Sequence, residues 1–102
     1  MKDQTEAKTD QYVDMRHSFL DRFAGEDVEV KFRFKRPNTQ QANRVQKTAL
    51  KNAATAFTNL IMETVHPDDK GALQEALRDY PGLASTFGGA LMGSCGFGDL
   101  GN

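Results

Sequence analysis

Lys31, Arg33 and Lys35 alternate along one face of a single segment, Arg36 follows directly, and Arg44, Lys47 and Lys51 lie just beyond. Cations gathered this way create a local positive field suited to an acidic protein segment or to nucleic acid. The other side chains capable of chemistry do not assemble into a reaction centre. His17 and His66 have no Ser, Cys or second His at triad or ligand spacing, and they read as surface or capping residues. Asp68 and Asp69 follow a proline and suit the positive end of a helix dipole. The glycines from Gly93 to Gly98 lack the Lys-Ser/Thr of a phosphate loop, and Cys95 is the chain's one thiol. No disulfide framework or multi-cysteine metal site follows from one cysteine. The expectation is a non-enzymatic protein with no catalytic residue, no cofactor and no metal.

The chain has 102 residues, 38% hydrophobic and 26% charged, with a formal net charge of -1. That near-neutral figure hides a segregated charge pattern. Residues 28–51 hold seven cations against one anion, whereas residues 1–27 hold four against seven and residues 52–102 two against six. A chain of this length supports one small core. It has no signal-like apolar stretch at its start and no run approaching the length needed to span a bilayer. A soluble protein of a reducing cytoplasm is therefore expected, with no membrane partner.

Several elements must position these residues. The polar stretch 1–10 reads as a flexible arm. Tyr12, Met15, Phe19, Leu20 and Phe23 recur at three- and four-residue spacing, which predicts a helix from Gln11 to Ala24, capped by Asp10 and stopped at Gly25. Val28, Val30, Phe32 and Phe34 then alternate with Glu29, Lys31, Arg33 and Lys35, the pattern of a strand with one buried and one solvated face. Arg36-Pro37 ends it. From Thr39 to Val65 an apolar stripe runs through Ala42, Val45, Leu50, Phe57, Leu60 and Ile61 with no Gly or Pro. An unbroken helix of that length would span about 40 Å. Either it breaks between Lys47 and Asn52, or another molecule covers part of the stripe. His66-Pro67-Asp68-Asp69 starts a further helix, and Pro81-Gly82 precedes a last one weakened by Gly88-Gly89. Residues 93–102 read as a flexible glycine-rich tail, leaving one helical domain over 11–92.

The predicted fold is thus mostly α, about four helices with one β-strand or short hairpin near residues 28–35. A lone strand cannot satisfy its own backbone. No tight-turn sequence divides residues 26–35, so a copy of the strand from a second subunit is the expected partner, giving a homo-oligomer. A dimeric strand carrying Lys31, Arg33 and Lys35 would suit a DNA-binding regulator of ribbon-helix-helix type. That reading ranks second, because the strand has few side chains able to read bases and no short helix with a glycine turn follows it.

Phe32-Arg33-Phe34-Lys35-Arg36-Pro37, a long alanine-rich helix, Val65-His66-Pro67-Asp68, and Tyr80-Pro81-Gly82-Leu83 with Phe87-Gly88 follow one another in an order that resembles the small tail-assembly chaperones of tailed bacteriophages and prophages. The resemblance covers residues 28–92. It implies a protein made in the host cytoplasm that transiently coats the largely helical tape-measure protein during tail morphogenesis. It carries over no catalytic motif. The candidate contacts come from the residues themselves: Val45, Phe57, Leu60 and Ile61 for a helical client, and Lys31, Arg33, Lys35 and Arg36 for its acidic segments. A structural component of the virion is the third reading.

Overall fold

The structure is a computed structural model that describes residues 11–97. It is a small α+β domain with the element order β1 (Val13–Asp21), β2 (Glu26–Phe34), α1 (Thr39–Ala49), α2 (Ala53–Thr64), α3 (Lys70–Asp79) and α4 (Leu83–Ser94). A short 3-10 turn, Pro67–Asp69, leads into α3. The expected arm at 1–10 lies outside the described residues, as do residues 98–102 of the expected tail. That tail also starts later than the sequence suggests. Gly93 and Ser94 complete α4, and Phe97 packs against the core.

The expected helix from Gln11 to Ala24 is a strand instead. β1 pairs antiparallel with β2 in an unbroken register from Val13 opposite Phe34 to Asp21 opposite Glu26. Val13, Met15, His17 and Phe19 alternate, so this segment also carries a period of two, and the ladder offered by β2 selects it over the helical period. The partner that β2 requires is therefore supplied within the chain. The loop is built by Asp21, whose Oδ1 accepts hydrogen bonds from the backbone N–H groups of Phe23 and Ala24, both at 3.0 Å. Gly25 closes the loop at φ 72°, and its N–H donates to the Asp21 carbonyl at 2.7 Å. A residue without a Cβ takes that left-handed conformation at little cost. Gly25 thus ends a hairpin loop where it was expected to end a helix.

The 39–65 stretch breaks within the expected window. Leu50-Lys51 turns the chain, and Asn52 caps α2 by accepting a hydrogen bond from the Thr55 N–H at 3.0 Å. Leu50, placed in the apolar stripe by periodicity, is 89% exposed at this turn. At the start of α1, Asn38 and Gln41 form a reciprocal capping box.

The helices form a layer beneath β2. Phe32 and Phe34 enter the core and meet Phe87 of α4 at ring-centroid distances of 5.7 and 5.4 Å. α2 and α4 pack closely, with the Phe57 side chain against Gly88. β1 lies towards the margin of this layer. Met15 and Phe19 are half-buried, while Val13 and Leu20 are each 51% exposed and Phe23 in the loop is fully exposed.

Candidate functional site

β2 has partners on both edges. β1 covers one, and the segment after α2 clasps the end of the other. The Lys35 N–H donates to the Thr64 carbonyl at 3.0 Å, the His66 N–H donates to the Arg33 carbonyl at 2.8 Å, and Phe34 bridges to Val65. Asp69 then grips Arg33 with both carboxylate oxygens. Oδ1 accepts from Nη2 at 2.8 Å, and Oδ2 accepts from Nε at 3.0 Å and from the Arg33 backbone N–H at 2.9 Å. A bidentate guanidinium–carboxylate pair reinforced by a backbone donor fixes geometry as well as charge. His66 Nδ1 accepts from the Asp68 N–H at 3.0 Å, the capping role that the sequence suggests for this histidine.

These contacts favour the charged forms of the pair. The Arg33 guanidinium, helped by the Arg33 backbone N–H, lowers the Asp69 carboxyl to about 2, and donating to Asp69 raises Arg33 further. At the hairpin's far end the backbone N–H of Ala24, with the Tyr80 hydroxyl donating at 2.8 Å, keeps Asp21 below the usual carboxylate range. Tyr80 also meets Phe19 edge-on at 4.9 Å, so the corner between α3 and α4 supports β1.

A lowered carboxylate pKa contributes stability that is complete above the unfolded-state value near 4 and is lost as pH falls through the folded-state value. Thermal melts of the wild type should therefore show a loss of Tm between pH 4 and pH 2. Asp69→Asn should melt several degrees lower at pH 7, and the gap to wild type should narrow steadily as pH falls from 4 to 2. A gap of constant size across that range would show that the pair does not titrate with folding.

The candidate contact residues separate into two groups. Val45, Phe57, Leu60 and Ile61 are buried in the core, which corrects their assignment to a client surface: the domain's own helices and β2 cover the stripe. The basic cluster is also partly spent within the chain. Arg33 is paired with Asp69, Arg44 Nη1 lies 2.6 Å from Glu63 Oε2, and Arg36 Nη1 donates to the Ser94 carbonyl at 3.0 Å near the end of α4. The solvated face of the hairpin mixes signs, with Asp14 opposite Arg33, Arg16 opposite Lys31, and Arg16 within 3.9 Å of Glu29. Removing Arg33 and interleaving anions takes away the uniform cationic ribbon on which the duplex-binding alternative was based.

Lys35 stands beside Arg36, which reaches the Ser94 carbonyl from the rim of a groove. Together with Val13, Met15, Phe34 and Leu91 they line a groove of about 680 Å³ between the start of β1, the segment after β2 and the end of α4. An apolar surface bordered by two cations suits an apolar anchor flanked by acidic side chains. The sequence reading missed Val13, Met15 and Leu91 as groove residues. Alternation of Val13, Met15 and Phe19 was the available signal for the first two; Leu91 had none, since it reaches the groove only through the packing of α4.

A solved structure of an uncharacterised protein, rbstp2171, from Bacillus stearothermophilus is similar over 98% of this chain and 98% of that one, with a TM-score of 0.74 and 22% identity. At that identity the likeness extends to the fold. No curated protein is similar to the chain. The family described as a domain of unknown function, DUF6848, matches residues 3–102. The chain belongs to that family.

Proposed function

We propose that the protein is a non-enzymatic tail-assembly chaperone of a bacteriophage or prophage, which holds the tape-measure protein in the host cytoplasm until tail subunits replace it. The observation that carries the reading is the groove with Lys35 and Arg36 at its border. A long helical client presents apolar anchors at three- and four-residue intervals between charged positions, and a short apolar groove beside two cations can take one such anchor at a time. Contacts of this size give weak, reversible holding, as a transient chaperone requires. The segments that resemble the chaperone family also support one another. The Arg33 segment is clasped by Asp69 after His66-Pro67, and Tyr80 before Pro81-Gly82 anchors the hairpin loop.

The test is co-expression with the neighbouring tape-measure gene product, followed by capture of the tagged chain. Wild type should retain the client. Lys35→Glu with Arg36→Glu should reduce retention at least about tenfold, equivalent to ~1.4 kcal/mol. Met15→Glu, which places a charge in the groove without touching its cations, should reduce it comparably. Circular dichroism of each variant checks that the domain remains folded. Equal retention by folded variants, or none by wild type, would refute the reading.

A further inference from the structure

We infer that the outer edge of β1 is a self-association edge, pairing antiparallel with β1 of a second copy to give a four-stranded sheet in the order β2, β1, partner β1, partner β2. The two edges of the hairpin differ at the end where they meet the helical layer. On β2 the far edge is engaged at Arg33, Phe34 and Lys35 by the segment after α2. On β1, among the described residues, no backbone hydrogen bond from outside the hairpin reaches Val13 to Leu20. The strand has nine residues in uninterrupted register, with no proline and no bulge, and its charged residues Asp14, Arg16 and Asp21 leave the centre of the inner face, Met15 to Phe19, uncharged apart from His17. Its inner face is also incompletely covered. Phe34 is fully buried, yet Val13 directly opposite is half-exposed, because the helical layer lies under β2 and β1 overhangs it.

The sequence of β1 matches itself. Two-fold antiparallel pairing about an axis normal to the sheet requires residues of one face to oppose residues of the same face. Centred on His17, it sets Met15 opposite the partner's Phe19 twice, and Arg16 opposite the partner's Ser18. Centring on Arg16 would oppose two guanidinium groups, and centring on Ser18 would set Met15 against the partner's Asp21. The His17 register joins Met15 to Phe19 on either side of the axis and opposes no like charges, leaving Val13 opposite the partner's Asp21 only at the two ends of the ladder. Because the axis is normal to the sheet, both helical layers lie on the same side, and the overhang of each β1 leaves room between them. Each copy's Met15 and Phe19 thereby cover the other's. A two-stranded ribbon projecting past its helices becomes a four-stranded sheet, which is more stable in water. Val13 and Met15 also line the groove, so the pairing borders it, and the two readings are told apart by Lys35 and Arg36, which lie outside β1.

The test uses the full chain with Cys95→Ser as background. Directly opposed residues of an antiparallel ladder stand about 4.5–5.5 Å apart at Cα, within disulfide range, whereas residues one pair out of register exceed about 7 Å. Under mild oxidation, His17→Cys should form a covalent dimer at least tenfold faster than Ser18→Cys. Light scattering of the wild type should give twice the chain mass, and His17→Glu, which opposes two carboxylates at the axis, should return a single-chain mass. Single-chain mass for wild type at high concentration, equal crosslinking at positions 17 and 18, or a dimer undiminished by His17→Glu would each overturn the inference.

Discussion

Phe34→Ala is expected to destabilise the domain by about 3–5 kcal/mol, a large share of the stability of a chain this size. Phe34 is fully buried and joins three parts of the fold. Its ring packs against Phe87 of α4 at 5.4 Å and stands at 6.5 Å from Phe32, while its backbone bridges to Val65 after α2. Truncation leaves a cavity where the hairpin meets the helices, and the neighbouring rings cannot close it without breaking the ladder of β2. Urea unfolding should show the lowered midpoint. Phe23→Ser is the matched control. Phe23 is as apolar but fully exposed, so its substitution should stay within about 0.5 kcal/mol of wild type. Comparable losses for the two variants would mean that β2 is not part of the core.

Two adjacent glycines should respond with opposite signs. Gly88 of α4 faces Phe57 of α2 so closely that an added Cβ would lie 2.5 Å from its Cδ1 and 2.6 Å from its Cβ. Part of that obstruction is the Cβ next to the α2 backbone, which rotation of the ring cannot move away. Gly88→Ala must therefore push α2 and α4 apart, and overpacking of this kind costs about 1–3 kcal/mol. Around Gly89 there is nothing within 4 Å of an added Cβ. Gly89→Ala should stabilise α4 by about 0.5–1 kcal/mol through helix propensity and lost unfolded-state freedom. Thermal or urea melts of the pair would check this. Stabilisation by both would show that α2 and α4 do not approach at Gly88.

These predictions mark where the sequence was informative. β2 was legible because its alternation is complete and strands use a period of two. The division of the 39–65 stretch was foreseen as one of two outcomes, since a helix about 40 Å long exceeds what the domain can cover. β1 was misread because Tyr12, Met15, Phe19 and Phe23 fit a helical period while Val13, Met15, His17 and Phe19 fit a strand. Local pattern cannot choose between them; the long-range ladder with β2 does. The Asp21 and Gly25 loop geometry was available as a turn signal but was assigned to a helix end.

The candidate site was legible only in part. Charge counting located the basic segment but not which cations are already engaged. Arg33 meets a carboxylate 36 residues away, and Arg44 meets one 19 away, distances over which sequence spacing carries no information. Gly88 and Gly89 read alike as helix-weakening residues, and only the crossing of α2 over α4 separates them. Lys35 and Arg36 lie at the groove because the chain turns at Pro37 beside the end of α4.

The most direct test of the chaperone reading is the fate of the protein during assembly. Quantitative mass spectrometry of assembly intermediates and of finished particles from one culture should find the chain with the tape-measure protein before tail-tube addition and absent from completed tails. Stoichiometric presence in finished particles, or absence from tape-measure complexes at every stage, would contradict the account.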